Sequence, residues 1–210
     1  LTTIDSPEVY NQFAHEYDAW FEKHANLYQS ELLAMKQAVP QNRKGIEIGV
    51  GSGRFAEPLN IKYGVEPSPS MAALAKQRGI KVFDAAAEKL PIEDQSYDFA
   101  TMVTTVCFLN DIPKAFSEVH RILKPKGEFV IGLIDRNSKL GKKYEQQKST
   151  NKFYRDAHFH STEEITERLS QAGFQNFSYW QTLLNADDNT IEQPQPGYGK
   201  GSFVVIKGIK

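Results

Sequence analysis

The stretch Glu47-Ile-Gly-Val-Gly-Ser-Gly-Arg-Phe55, EIGVGSGRF, sets three glycines at alternate positions directly after a short apolar run. Glycine admits φ > 0 and presents no Cβ, at an entropic cost on folding, so alternate glycines mark a backbone that turns sharply and is open to close approach. Two explanations fit: a ligand lying on the loop, or a tight turn with close strand–helix packing. The surrounding pattern bears on the choice.

Upstream, Phe13, Tyr17, Trp20, Phe21, Tyr28, Leu32, Leu33 and Met35 recur mostly three and four residues apart, which predicts one or two amphipathic helices ending at Pro40. Downstream, a brief helical segment is expected around Arg54 to Leu59, then a strand over Lys62 to Glu66 stopped by Pro67. The segment 68–79 carries Ser68 as N-cap, Pro69 at the first helical position and Gly79 as terminator. Ile80 to Phe83 reads as a short strand. Asp98 to Val106 is long and apolar, as a strand buried on both faces would be.

Asp111 caps a helix whose Ile112, Ala115, Phe116, Val119, Ile122 and Leu123 share one face, and Phe129 to Ile134 follows as a strand. Asn137 to His160 is polar, basic and unpatterned. Ser161-Thr-Glu-Glu164 is a capping box opening a helix that Gly173 closes, and strands at Asn176 to Leu184 and Ser202 to Lys207 finish the chain. Strands alternating with helices imply a mostly parallel sheet covered on both sides, with an antiparallel strand where the last two follow one another without a helix. The expectation is a Rossmann-like, doubly wound α/β fold with a seven-stranded sheet. Residues 1–210 form one domain: an N-terminal helical cap (1–40), a core (41–136), a lid-like insertion (137–160), and a final helix and strands (161–210).

Composition narrows the function classes. The 25 basic and 26 acidic residues give a net charge of −1, so neither a nucleic-acid scaffold nor a polybasic membrane surface is expected. No apolar stretch approaches the roughly 20 residues needed to span a bilayer, and no basic-then-apolar signal pattern opens the chain. Cys107 is the only cysteine, which rules out an internal disulfide and a multi-cysteine metal site. A cytoplasmic protein without a structural metal follows as the expectation.

A glycine turn after the first strand of such a sheet directs backbone N–H groups to the carboxyl edge, where open α/β sheets bind ligands. Glu66 falls at the end of the second strand, in register with that turn. An ionised acid there can accept from both hydroxyls of a ribose. The G-x-G-x-G spacing departs from the G-x-G-x-x-G of nicotinamide enzymes, and no G-K-[ST] follows to make a P-loop.

Taken together, EIGVGSGRF, GVEPSPSM (64–71), AAAEKLPIEDQSYD (85–98) and RILKPKGEFVIG (121–132) closely resemble class I S-adenosylmethionine-dependent methyltransferases, particularly those of ubiquinone and menaquinone biosynthesis and their small relatives. The resemblance is strong over roughly residues 45 to 135. It implies S-adenosyl-L-methionine as cofactor, S-adenosyl-L-homocysteine as product, and methyl transfer to a small-molecule acceptor. Gly49, Gly51 and Gly53 would then admit the methionyl part and Glu47 would help hold its amino group. Glu66 would grip the ribose. Pro67 and Met71 would line the adenine slot, Ala87 would offer its backbone N–H, and Thr104 and Thr105 would lie under the methionyl chain.

Two departures stand out. Ala86 replaces an acid that relatives often carry, leaving Glu88 or the backbone to meet the adenine amine, and Cys107-Phe108 stands where relatives often have histidine. Tyr17 is the candidate aromatic to close over the site. His158 and His160 are candidate acid–base groups as well as ordinary loop residues, and no catalytic residue is assigned. A cofactor-binding module without transferase activity, and a methyltransferase acting on protein or RNA, remain as alternatives.

Overall fold

The structure, a computed structural model, describes residues 6–185 and 189–210; residues 1–5 of the expected cap and 186–188 of the final portion lie outside the described residues. Helices α1 (Ser6–Gln12), α2 (Ala14–Lys23) and α3 (Ala25–Ala38) precede an alternation of strands and helices: β1 (Gly45–Ile48), β2 (Tyr63–Val65), α4 (Pro69–Gln77), β3 (Lys81–Phe83), β4 (Tyr97–Val103), α5 (Ile112–Ile122) and β5 (Leu123–Ile134). The chain continues with α6 (Lys139–Gln147), α7 (Thr162–Gln171), β6 (Gln175–Thr182), β7 (Gln195–Pro196) and β8 (Phe203–Ile209), and short 3₁₀ turns sit at Val106–Phe108 and Lys148–Thr150.

The strands form one sheet in the order β3-β2-β1-β4-β5-β8-β6-β7. The pairs among β1 to β5 are parallel, and β8 runs antiparallel between β5 and β6. This is the Rossmann-like sheet expected, with the antiparallel strand near the C-terminus. An eighth strand, the two-residue β7 carrying Pro196, sits at the edge, where the missing N–H of proline costs no ladder bond. Strand order reverses between β1 and β4, so a crevice opens at their carboxyl ends.

The period-2 pattern of the central strands decides what each face buries. Ile46, Ile48, Ala100, Met102, Phe129, Ile131 and Leu133 pack with α5 and α7 residues such as Phe116, Val119 and Leu169. The alternate positions Phe99, Val103, Val130 and Ile134 pack with Leu32 and Met35 of α3. The cap is therefore bonded to the core by ordinary apolar burial on its α3 face.

Several local readings change: the cap holds three helices where one or two were expected, and β5 begins at Leu123, ahead of Phe129. Arg54–Leu59 forms a run of turns and not a helix. Glu57 N–H donates to Gly53 and Leu59 N–H to Phe55, but Pro58 between them has no N–H, so the consecutive bonds that define an α-helix cannot form. The central strand stops at Val103, because Thr104 takes a left-handed φ of 48° and donates its N–H to Gly132. Within 137–160, read as unpatterned, α6 forms behind Ser138, whose Oγ accepts from Gly141 N–H, and it buries only Leu140 and Gly141. The helix caps read from Ser68 and from the Ser161/Glu164 pair are present as expected.

The neck of the 137–160 insertion is tied at the end of β5. Asp135, 5% exposed, accepts from Asn137 N–H (2.7 Å), from Thr162 N–H (2.9 Å) and from the Thr162 hydroxyl (2.5 Å), while Arg136 N–H donates to His160 (3.0 Å). Asp135→Ala would strand three donors, two of them on the fully buried Thr162, and is expected to cost about 2–4 kcal/mol. Urea unfolding measures this; a loss under about 0.5 kcal/mol, the scale of an ordinary surface substitution, would contradict the assignment.

Candidate active site

The crevice at the β1/β4 switch is a cavity of about 610 Å³, within the ~300–1,000 Å³ range of small-molecule sites. All the residues that the resemblance assigns to the cofactor, except Gly53, line it: Tyr17, Glu47, Gly49, Gly51, Glu66, Pro67, Met71, Ala86, Ala87, Glu88, Thr104 and Thr105. The chain's topology thus brings to one place residues up to 88 positions apart.

The three glycines do different work, all with positive φ. A Cβ on Gly49 would lie 2.3 Å from Thr105 Cγ2, and one on Gly53 would lie 2.5 Å from Ile80 and 3.4 Å from the Ala75 backbone. Gly53 is therefore needed for packing on α4, and it does not line the cavity. At Gly51 an added Cβ would meet only Met71, at 3.3 Å, so this is the glycine whose bare face opens into the cavity.

Glu66 braces the loop. Its Oε2 accepts from Gly51 N–H and its Oε1 from Ser68 N–H, both at 2.9 Å. Burial raises its pKa, opposed by those two backbone donors. Each oxygen retains a lone pair for a further donor. Glu47, 2% exposed, has its Oε2 without a hydrogen-bond partner, and burial, reinforced by the Glu66 carboxylate, pushes its pKa well above the ordinary range. Thr105 donates its hydroxyl to Gly49 C=O at 3.2 Å and Val103 C=O at 3.0 Å, pinning the loop to the end of β4. Glu88 Oε1 is engaged by the N–H groups of Asn110 (3.0 Å) and Asp111 (3.3 Å) at the entry to α5.

Two segments wall the opposite side. Tyr10 and Tyr17 come from the cap, and Asp156 and His158 from the insertion. Tyr10 stands edge-on to Tyr17 at 5.0 Å and to Phe108 at 5.4 Å, Tyr17 meets Phe153 at 5.3 Å, and the Tyr10 hydroxyl donates to Phe153 C=O at 3.0 Å. Burial raises the pKa of both tyrosines, so both are neutral. His160, by contrast, lines a separate small chamber with Tyr144, Tyr154 and Cys107 and lies 3.6 Å from Glu164. Burial pushes nearby Glu31 up to about 8 and the Cys107 thiol up to about 12, leaving both protonated at neutral pH.

An ion cluster missed in the sequence locks the cap onto the glycine loop. Asp18 of α2 accepts from Arg54 Nε (2.8 Å) and from the Arg54 and Arg78 terminal nitrogens (2.6 and 2.9 Å), and Arg78 also donates to Ser52 C=O (2.7 Å). The Tyr28 hydroxyl donates to Arg54 C=O. The position of Arg54 directly after the glycines was its only sequence signal; Asp18 gave none. Among the described residues no group of three or more His, Cys, Asp or Glu is arranged to hold a metal ion, and no helix is long and apolar enough to cross a membrane.

A crystal structure from Thermotoga maritima, described as a SAM-dependent methyltransferase and possible histamine N-methyltransferase, superposes with a TM-score of 0.93 at 48% identity, covering 96% of this chain and 98% of that one. The chain belongs to the S-adenosylmethionine-dependent methyltransferases. A methyltransferase domain family matches residues 46–131. An uncharacterised protein of Methanocaldococcus jannaschii is 44% identical over 203 residues, 96% of this chain and 98% of that protein, and the 2-phytyl-1,4-naphtoquinone methyltransferase of Nostoc punctiforme is 27% identical over 61% of this chain and 64% of its own length. This methyltransferase uses S-adenosylmethionine as cofactor. The buried, unpartnered oxygen of Glu47 fits a cofactor that carries an ammonium group.

The Asp18 cluster has a definite pH signature. Burial alone would raise the Asp18 carboxyl, but hydrogen bonds from Arg54 and Arg78 hold it well below the usual carboxylate range. A folded value below the unfolded one of about 3.9 makes its contribution fully present above about pH 5 and lost as pH falls through the acid range. Asp18→Asn leaves the two guanidinium groups only the exposed Glu22 and Glu57 as counter-charges, and is expected to cost about 2–4 kcal/mol at pH 7. The difference from wild type should stay level from about pH 5 to 8 and shrink below about pH 4; a difference that grows on acidification would contradict this.

Proposed function

We propose that this methyltransferase acts on a small-molecule acceptor held in the walled cavity, with the cofactor along the glycine loop. When bound, the cofactor supplies an electrophilic methyl group on a sulfonium whose departure as a neutral thioether needs no metal or covalent help from the protein. What remains for the chain is to bind, orient and exclude water, and such positioning is worth roughly 7–11 kcal/mol in favourable cases.

Glu66 would take the ribose hydroxyls on its spare lone pairs while its two backbone bonds keep it from turning. Glu47 would meet the amino group. Met71 and Pro67 would pack on the adenine, with the Ala87 backbone and Glu88 at its edge in place of the acid absent at Ala86. Tyr17, Thr104 and Thr105 would flank the methionyl chain. Thr104 is held in a left-handed conformation that costs a β-branched residue about 1–3 kcal/mol, and that turn brings it to the cavity wall.

The observation that carries the reading is the Glu66 carboxylate, half-buried and pinned at both oxygens beside the cavity-facing Gly51. The small-molecule acceptor is supported by partial enclosure: the cap and the insertion meet across the cavity through the Tyr10 to Phe153 bond. Glu66→Gln keeps the size but loses the charge, a difference on the order of 1–3 kcal/mol. Calorimetric affinity for S-adenosylhomocysteine should fall about tenfold or more, whereas affinity for free methionine should not change. Wild-type affinity in the folded variant, or an equal loss for methionine, would overturn the placement of the ribose.

A further inference from the structure

Thr101, in the middle of β4, is 0% exposed, and its Oγ1 has no hydrogen-bond partner. A hydroxyl in that condition costs free energy that valine, of the same shape, would not. Its presence in a strand that is otherwise apolar from Phe99 to Val103 calls for a reason.

The facing strand supplies one. Parallel pairing of β1 with β4 sets Gly45 opposite Phe99 and Glu47 opposite Thr101. Facing residues of adjacent strands share a face of the sheet, and the first pair displays it: a Cβ on Gly45 would lie 2.1 Å from the Phe99 ring. Two residues along, Glu47 and Thr101 stand side by side on the α3 face, on strands about 4.8 Å apart. Their flanking neighbours in that row are apolar. Gly64 lies opposite Glu47 on its other side, with Val50 in the space of its missing Cβ, and Val130 lies opposite Thr101. A buried carboxyl oxygen, Glu47 Oε2, and a buried hydroxyl, each without a partner, therefore occupy facing positions.

We infer that Thr101 is a positioning residue for the cofactor: its hydroxyl turns onto Glu47 Oε2 when that carboxyl ionises against the cofactor's ammonium, and so holds the other oxygen toward the cavity. A threonine hydroxyl has one donor and two acceptor sites, so it gives an anionic Oε2 the donor it requires without bringing a second charge into the core. On ionisation the carboxyl O–H bond breaks, its electron pair stays on oxygen, and the proton leaves to solvent. In the free protein, where burial favours the neutral acid, the two groups are not bonded.

The proposal rests on Glu47 meeting the cofactor's amino group, and substitutions at the two positions separate the claims. In calorimetry, Thr101→Val should bind S-adenosylhomocysteine about tenfold more weakly than wild type, the scale of a lost hydrogen bond to a charged group. It should bind methylthioadenosine, which lacks the amino-acid end, as well as wild type does. Its urea midpoint without ligand should equal or exceed that of wild type, because a methyl group replaces a hydroxyl that bonds nothing. Thr101→Ser keeps the hydroxyl and loses a buried methyl, so it should be less stable than wild type and still bind S-adenosylhomocysteine within about twofold. Stability and affinity then rank the two variants in opposite orders, which a purely structural role does not produce. Wild-type affinity in Thr101→Val, an equal loss for methylthioadenosine, a lowered urea midpoint in Thr101→Val, or a Thr101→Ser variant as weak as Thr101→Val would each overturn the proposal. Wild-type affinity for S-adenosylhomocysteine in Glu47→Gln would instead overturn the reading on which it rests.

Discussion

Burying a carboxyl group in a low-dielectric site without a cation beside it is costly, and this protein does so at Glu47, with the half-buried Glu66 close by. Glu47 keeps an oxygen without a partner, and Glu66 is met only by two backbone N–H groups. Such groups shift toward the protonated form unless a charge arrives. The cost is sensible if the missing charge is the ligand's own. An ammonium and a sulfonium, with one carboxylate beside them, are what the cofactor of this family offers.

The rest of the fold serves to hold those acids in place. Parallel pairing of β1 with β2, Glu47 opposite Gly64 and Ile48 opposite Val65, brings the two strand ends together. Gly49 and Val50 N–H groups both donate to Val65 C=O at 2.9 Å, so the glycine loop starts from a fixed point. Thr105 pins it from β4, and the Asp18 cluster fastens the cap over it. Because Arg54, at the end of the loop, bonds Asp18 and Glu22 of the cap, and Arg78 bonds both Asp18 and the loop's Ser52 C=O, movement of the cap and of the loop are coupled through charge pairs that water screens only partly.

How much of this was legible follows from the range of each interaction. Short-range punctuation read well: Ser68-Pro69 and Ser161/Glu164 specify helix starts through bonds three residues long, and the glycine spacing with Glu66 in register located the cavity. What failed depends on partners elsewhere in the chain. Gly53 looks like Gly51 in sequence, and only the arrival of Ile80 and Ala75 distinguishes packing from exposure. The Arg54 to Leu59 helix fails at Pro58, a signal that was present and outweighed by composition. The helix α6 presents few apolar residues in a basic stretch and is held by its Ser138 cap and by Leu140 against the core. Asp18 looks like any exposed acid of an amphipathic helix until Arg54 and Arg78 reach it from 36 and 60 residues away.

The proton on Glu47 offers the most direct measurement. Burial favours the neutral form of that carboxyl in the free protein, and an ammonium brought against it would favour the anion, so binding is expected to expel a proton. Calorimetry of S-adenosylmethionine binding at pH 7 in buffers of different ionisation enthalpy is expected to give a net release of about 0.5–1 proton per ligand, abolished in Glu47→Gln. A binding enthalpy independent of buffer, or the same release in Glu47→Gln, would contradict the account that this buried acid awaits the cofactor's charge.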